Sequence, residues 1–327
     1  MNAPPSAALS TSSSPSSRSP PVKRRRVDPE AAAPSVGPRF VFLELFAGNG
    51  ELTEQVAKVV ETLPLQDYHT KNGVDFTDLG AVQSLWEEWR ALSDQGARLL
   101  FHVAPPCATF SRARDRSHRT RLRSSALPGG WYPNDPRTQE GNAIARHTAL
   151  SVDFLVNELG AAGTWEQPAG SYMFPYLEQS NMLTSVPDRV VLLHQCKFGR
   201  PWKKPTTFSC FGGFRLRALD RRCTPSSPCS RKFHVTLGFG GAATAPAAAY
   251  PSALCAAYAA DIAAHTSAAA RSSVVARASV HVDGVVARHV DRGLTRISDR
   301  ASREAEDAVS WAGASAEQTL VIAFPFA

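Results

Sequence analysis

Four short, β-prone and nearly unbroken apolar runs recur along this chain, at 39–46 (RFVFLELF), 98–104 (RLLFHVA), 162–166 (AGTWE) and 189–194 (RVVLLH). A strand that is apolar on both faces must be covered on both, which an α/β sheet with helices above and below provides. The segments between the runs have helical period. Residues 51–63 form one, 78–92 a second with Leu85, Trp86, Trp89 and Leu92 three and four apart, and 139–159 a third with Ile144, Val152, Leu155 and Leu159. This alternation predicts βαβ units and a mostly parallel sheet with helices on both faces. Ligands of such sheets bind where the carboxyl ends of the strands open into turns, so chemistry is expected there.

The flanks have a different texture. Residues 1–37 are rich in Ser and Pro and predict a disordered arm. Inside it Pro20-Pro21-Val22-Lys23-Arg24-Arg25-Arg26-Val27-Asp28 is a compact basic run. Such a cluster suits the acidic groove of a nuclear import carrier and predicts a nuclear location; the alternative is a solvated charge cluster. The folded core is expected over 38–265, with 200–240 as a short basic insert and a helix after Tyr250-Pro251. The tail, 266–327, has no assigned role. Hydrophobic residues make up 43% and charged residues 20% of the 327, an ordinary globular mixture. No run reaches the roughly 18 apolar residues of a membrane span, so no membrane partner is expected. The first residues are not an apolar leader, and six cysteines over this length make no disulfide framework. A reducing compartment follows, with each thiol free to be core filler, ligand or nucleophile. The net charge of +7 favours a polyanionic partner.

Three of the expected turns carry suggestive residues. The first run leads into Phe46-Ala47-Gly48-Asn49-Gly50-Glu51, where two glycines let the backbone turn tightly beside a ligand. The second leads into Pro105-Pro106-Cys107-Ala108-Thr109-Phe110-Ser111. A lone Cys is usually a small buried hydrophobe, but two prolines before it stiffen the turn and present the thiol. The third ends in Thr164-Trp165-Glu166-Gln167-Pro168. A carboxylate at the tip of an apolar strand is costly if charged and unpaired, so Glu166 is expected to be protonated or well bonded; the alternative is a capping Glu.

Taken in order with His194-Gln195-Cys196-Lys197-Phe198-Gly199, these turns resemble the motifs of the C5-cytosine DNA methyltransferase family. That family has a Phe-(Ala/Ser)-Gly-x-Gly turn, a Pro-Cys turn followed by Phe-Ser, a Glu-Asn motif and a Gln-x-Arg strand. The likeness runs from about Phe40 to Lys204, with an echo at Ala249-Tyr250-Pro251-Ser252. Here Gln167 stands for Asn and Lys197 for Arg, and the interval before Tyr250 is shorter than the family's target-recognition domain. The resemblance implies a class-I, Rossmann-like methyltransferase using S-adenosyl-L-methionine. It further implies that Cys107 adds to C6 of cytosine, that Glu166 protonates or holds N3, and that Lys197 lies beside base and thiolate. The cofactor set it implies is Phe46, Ala47, Gly48, Asn49, Gly50 and Pro105, with Asp67 on the ribose hydroxyls and Asp75 on the adenine amino group. The target base must be flipped out or single-stranded.

The segment after the Cys is dense in arginine: Arg112, Arg114, Arg116, Arg119, Arg121 and Arg123, opposed by Asp115 alone. Beside a presented nucleophile it suits phosphates, of DNA or of RNA; the alternative is a solvated loop. Arg112, Arg114, Arg116 and Arg119 are the expected nucleic-acid contacts. The basic insert holds Cys210, Cys223, Cys229 and His234, a possible Cys3His set with Cys210 equally suited to a strand, and no metal is assigned. Beside the enzyme stand two alternatives, an inactive relative that only binds nucleic acid and a methyltransferase acting on another substrate class with Cys107 idle.

Overall fold

A computed structural model of the chain describes residues 38–66, 73–231, 233–235, 237 and 247–272. The Ser/Pro-rich arm with its basic run, Asp67, and the tail beyond 272 lie outside the described residues.

Six strands form one sheet. β1 (Phe40–Leu45), β2 (Glu61–Thr62), β3 (Arg98–Val103) and β4 (Ala162–Pro168) run parallel, and β5 (Arg189–His194) shares their direction. The last strand, β6 (Pro205–Phe211), runs the opposite way and lies between β4 and β5, giving the order β2-β1-β3-β4-β6-β5. The sheet is therefore mixed and mostly parallel, as the runs predict, with β2 and β6 added. Neither extra strand stands out as an apolar run: β2 is two residues long and β6 carries Thr206, Thr207 and Ser209.

Helices cover both faces. Val41, Leu43 and Leu45 of β1 face α2 (Leu79–Asp94), α3 (Pro136–Asp153) and α4 (Met173–Gln179), together with Leu99, Phe101 and Val103 of β3. The alternate residues, Phe42 and Leu100, face α1 (Glu51–Val56) and a helix over 252–272 through Leu52, Val56, Leu254, Tyr258 and Ile262. Period-two side chains buried on both sides explain why the strands read as continuous apolar runs. In α2 the stripe Val82, Leu85, Trp89 is buried, and Asp78 caps the first turn by accepting from the Gly80 amide at 2.8 Å. α3 opens on Asp135 with Pro136 in its first turn, then passes into a wide π turn at Phe154–Glu158.

Two helix expectations need revision. The stretch 51–63 is helical only to Val56; a turn follows and 61–62 become β2, because Glu61 and Thr62 pair with Val41 and Phe42 of β1. The last helix continues to 272, past Thr266, where the apolar pattern weakens. No helix among the described residues is long and apolar enough to cross a membrane.

Candidate functional site

β1, β3 and β4 are consecutive neighbours, so their carboxyl-end turns lie side by side along one rim of the sheet. The first turn is Phe46–Gly50. Its chain bends through positive φ at Phe46 (63°), Gly48 (57°) and Gly50 (73°), a path that glycine follows without strain. Beside Gly48 there is open space where a side chain would stand, and Asn49 next to it is exposed. Phe46 and Ala47 are instead buried, and their amides both donate to the Gln66 carbonyl. Asp75 is exposed near this turn, since Phe76 beside it packs tilted against Phe46 with ring centroids 4.5 Å apart. Hydrogen bonds from the Thr77 hydroxyl and amide hold the Asp75 carboxyl below its usual range.

The second turn follows β3. Pro105 is buried and Cys107 partly exposed, and the Cys107 carbonyl accepts from the amides of Phe110 and Ser111. Burial first, and the neighbouring Glu166 second, push the Cys107 thiol up to about 11, while the Lys204 ammonium works to lower it. The third turn carries Glu166, buried at the end of β4. Burial raises its carboxyl and Lys204 opposes the rise. Cys107, Glu166 and Lys204 thus form one electrostatic cluster. The next residue, Gln167, ties two turns together: its Nε2 donates to the Pro105 carbonyl at 3.3 Å and its Oε1 accepts from Ser171 at 3.0 Å.

Lys197 is not in this cluster. The chain leaves β5 in a 3₁₀ turn, Gln195–Phe198, that buries Cys196 and Phe198 and turns Lys197 away from the rim. Its Nζ donates to Ser227 Oγ at 3.1 Å and to the Pro228 carbonyl at 2.9 Å. The cation near the thiol is Lys204, and topology explains it. β6 is antiparallel, so its beginning, not its end, meets the rim, with Thr207 opposite Gln167 and Pro205 opposite His194. Lys204 also donates to the Ala247 carbonyl at 2.6 Å, and Arg200 donates to the carbonyls of Ala249 and Tyr250, both at 3.0 Å. The Tyr250 segment is thereby drawn to the same rim.

Two buried groups below the rim were not singled out from the sequence. Glu44, two residues before Phe46, accepts from the Thr53 amide at 2.9 Å and its hydroxyl at 2.5 Å, and burial still lifts its carboxyl to about 7. His102 of β3 shares hydrogen bonds with Thr164 at 2.8 Å and Tyr250 at 3.0 Å, and Thr164 with Tyr258 at 2.8 Å. Burial drops its imidazole to about 3, so it is neutral. The available sequence signal was a polar residue inside an apolar run.

The arginine-rich segment divides. Arg112 and Arg119 are exposed, with Arg112 lying 5.3 Å over the Tyr172 ring. Arg114 spends its guanidinium on the Ala108 carbonyl at 2.6 Å and the Thr120 carbonyl at 3.4 Å. The Arg116 side chain lies outside the described set. Arg123 is 1% exposed, so it belongs to the protein's interior rather than to a phosphate.

Cys210 leaves the set of possible metal ligands. It lies in β6, pairing with Thr164 and Arg189, and is sealed in the core. Cys196 takes its place beside Cys223, Cys229 and His234. A cavity of about 380 Å³ lies on the β2 side of β1, between Leu43, Leu63 and Trp89, away from Cys107. No model of a known family matches the chain, and no curated protein matches it in sequence.

Proposed function

We propose that this chain is an S-adenosyl-L-methionine-dependent methyltransferase that adds a methyl group to C5 of cytosine in DNA, with Cys107 as nucleophile. The observation that carries the reading is the convergence of Cys107, Glu166 and Lys204 beside a glycine turn at one rim. The strand order supports it: a single reversed strand between the last two parallel ones suits a class-I methyltransferase sheet.

Phe46, Ala47, Gly48, Asn49 and Gly50 fit a cofactor, because open space borders Gly48 and the turn presents backbone there. Asp75 would meet the adenine end, and Pro105 the methyl end. When bound, the cofactor supplies an electrophilic methyl on a sulfonium. C5 of cytosine is a weak nucleophile, so the Cys107 thiol first gives its proton to solvent and the resulting thiolate adds to C6. Glu166, whose carboxyl burial raises, donates a proton to N3 and offsets the charge that develops in the ring. C5 then attacks the methyl group. The methyl transfer leaves S-adenosyl-L-homocysteine, and loss of the C5 proton to a solvent base, return of the N3 proton to Glu166 and expulsion of the thiolate restore the aromatic ring and the free enzyme. Lys204 favours the thiolate throughout, standing where the motif resemblance implied Lys197 beside the base and thiolate. Arg112 and Arg119 are positioned to grip phosphates around a flipped base.

The test is covalent capture. With cofactor and DNA containing 5-fluorocytosine, fluorine at C5 blocks the elimination and leaves a denaturant-resistant adduct. An adduct that disappears in Cys107→Ser supports the reading. Salt-sensitive DNA binding with no adduct overturns it in favour of a binding-only relative.

A further inference from the structure

Beyond the rim, and independently of the reaction proposed there, we propose that Cys196, Cys223, Cys229 and His234 bind one structural zinc ion. Their ligand atoms all lie within 4.8 Å of one another. The Nε2 of His234 is 3.2 Å from Cys229 Sγ and 3.8 Å from Cys223 Sγ. A tetrahedral zinc with Zn–S near 2.3 Å and Zn–N near 2.0 Å sets its ligands about 3.5–3.8 Å apart. The four donors therefore surround a point of the right size before any metal enters. Three thiolates and an imidazole are a borderline-soft set that suits zinc over magnesium or calcium. All four positions are filled by protein, leaving none open for substrate, which makes the site structural rather than catalytic.

The surrounding chain shows what such an ion would hold. Among the described residues, 212–249 contain no helix and no strand beyond the isolated bridge Thr224–Ser227. Phe214, Leu216 and Leu219 anchor the first part of this segment in the core, but among the described residues none from 224 to 235 is buried. The segment's hydrogen bonds to the sheet and the adjoining turns include the His194 amide to the Arg221 carbonyl at 3.0 Å, Arg222 Nε to the Leu192 carbonyl at 3.2 Å, the Cys223 amide to His194 Nδ1 at 2.8 Å, and the Val235 amide to the Pro201 carbonyl at 2.9 Å. Cys196 is the one ligand that belongs to the sheet's own framework, in the turn that ends β5. The ion would cross-link that turn to Cys223, Cys229 and His234, fastening the stretch after Cys223, where no described residue up to 235 is buried. Lys197, between Cys196 and Phe198, already clasps the turn that joins Cys223 to Cys229.

The experiment uses the full chain, purified under reducing conditions without chelator, with metals measured by mass spectrometry. One zinc per chain is expected. Cys229→Ala and His234→Ala should lose it at least tenfold, while His234→Cys and Cys210→Ala should keep it. Reconstitution with cobalt should give the intense visible bands of a tetrahedral thiolate site. Absence of zinc from the wild type after incubation with it overturns the proposal, as does a disulfide among the three thiols in its place. Zinc retained in Cys196→Ala but lost in Cys210→Ala would overturn this ligand set. Should Cys196→Ala fail to fold, the His234→Ala and His234→Cys pair still decides, since both change a partly exposed position.

Discussion

Burial pushes the Cys107 thiol up to about 11, so it rests protonated near pH 7, and burial also raises the neighbouring Glu166 carboxyl above its ordinary range. The Glu166 charge disfavours ionisation of the thiol, and Lys204 favours the ionised form of both groups. The roles of the two lysines can therefore be separated by thiol chemistry alone, without nucleic acid or cofactor. Alkylation by iodoacetamide follows the thiolate fraction, and one unit of pKa is tenfold in that fraction. Lys204→Gln should slow modification of the Cys107 peptide by about tenfold at pH 8, a shift of roughly one unit. Lys197→Gln, which changes a contact to Ser227 and Pro228, should leave it unchanged. Equal rates in the two variants would remove Lys204 from the cluster.

At the scale of elements, the segment from Cys107 to the start of α3 is held by one buried cation. The Arg123 guanidinium donates to the Pro128 carbonyl at 2.8 Å, to Asn142 Oδ1 at 2.7 Å, and to the Thr109 carbonyl and hydroxyl, both at 3.1 Å. It also lies 3.6 Å over the Phe110 ring. Removing it strands several buried acceptors, each worth about 1–3 kcal/mol. Arg123→Ala should accordingly lower the unfolding free energy by about 3–5 kcal/mol in denaturant titration. Arg119→Ala, on the exposed part of the same segment, should change stability by no more than about 0.5 kcal/mol. If Arg119 neutralises one phosphate, its loss should reduce the slope of log K against log salt by about 0.9. A stability loss shared by both variants would refute this division of the arginines.

For the whole molecule, two buried groups bend the pH dependence of stability in opposite senses. His102 is near 3 when folded and 6.5 when exposed, so between those values the unfolded chain binds a proton that the native chain does not. Its contribution is lost as pH falls, by about 1.4 kcal/mol per unit. Glu44, near 7 when folded against 4.5, binds its extra proton in the native state, and its contribution is lost as pH rises. The two effects oppose each other between 4.5 and 6.5. His102→Gln removes one of them, so the wild type's advantage over this variant should shrink by about 1.3 kcal/mol between pH 5.5 and 4.5. A difference that does not vary with pH would mean that His102 titrates normally.

The apolar runs and the helical stripe of Leu85 and Trp89 were enough to specify strands buried on both faces and the helices that cover them, because burial leaves its period in the sequence. Through that pattern the positions of Cys107, Glu166 and the glycine turn at strand ends were legible as well. What lay beyond it depended on pairing between distant segments. The two-residue β2 and the Thr-rich β6 exist because β1, β4 and β5 offer them partners, and neither has a strong period of its own. The reversal of β6 brings Lys204 to the rim in place of Lys197, and the turn after β5 brings Cys196 to the cluster in place of Cys210. Residue types and spacing named the kinds of group required; which lysine and which cysteine stand in those places was decided by strand direction, a property of the assembled sheet rather than of any local stretch of chain.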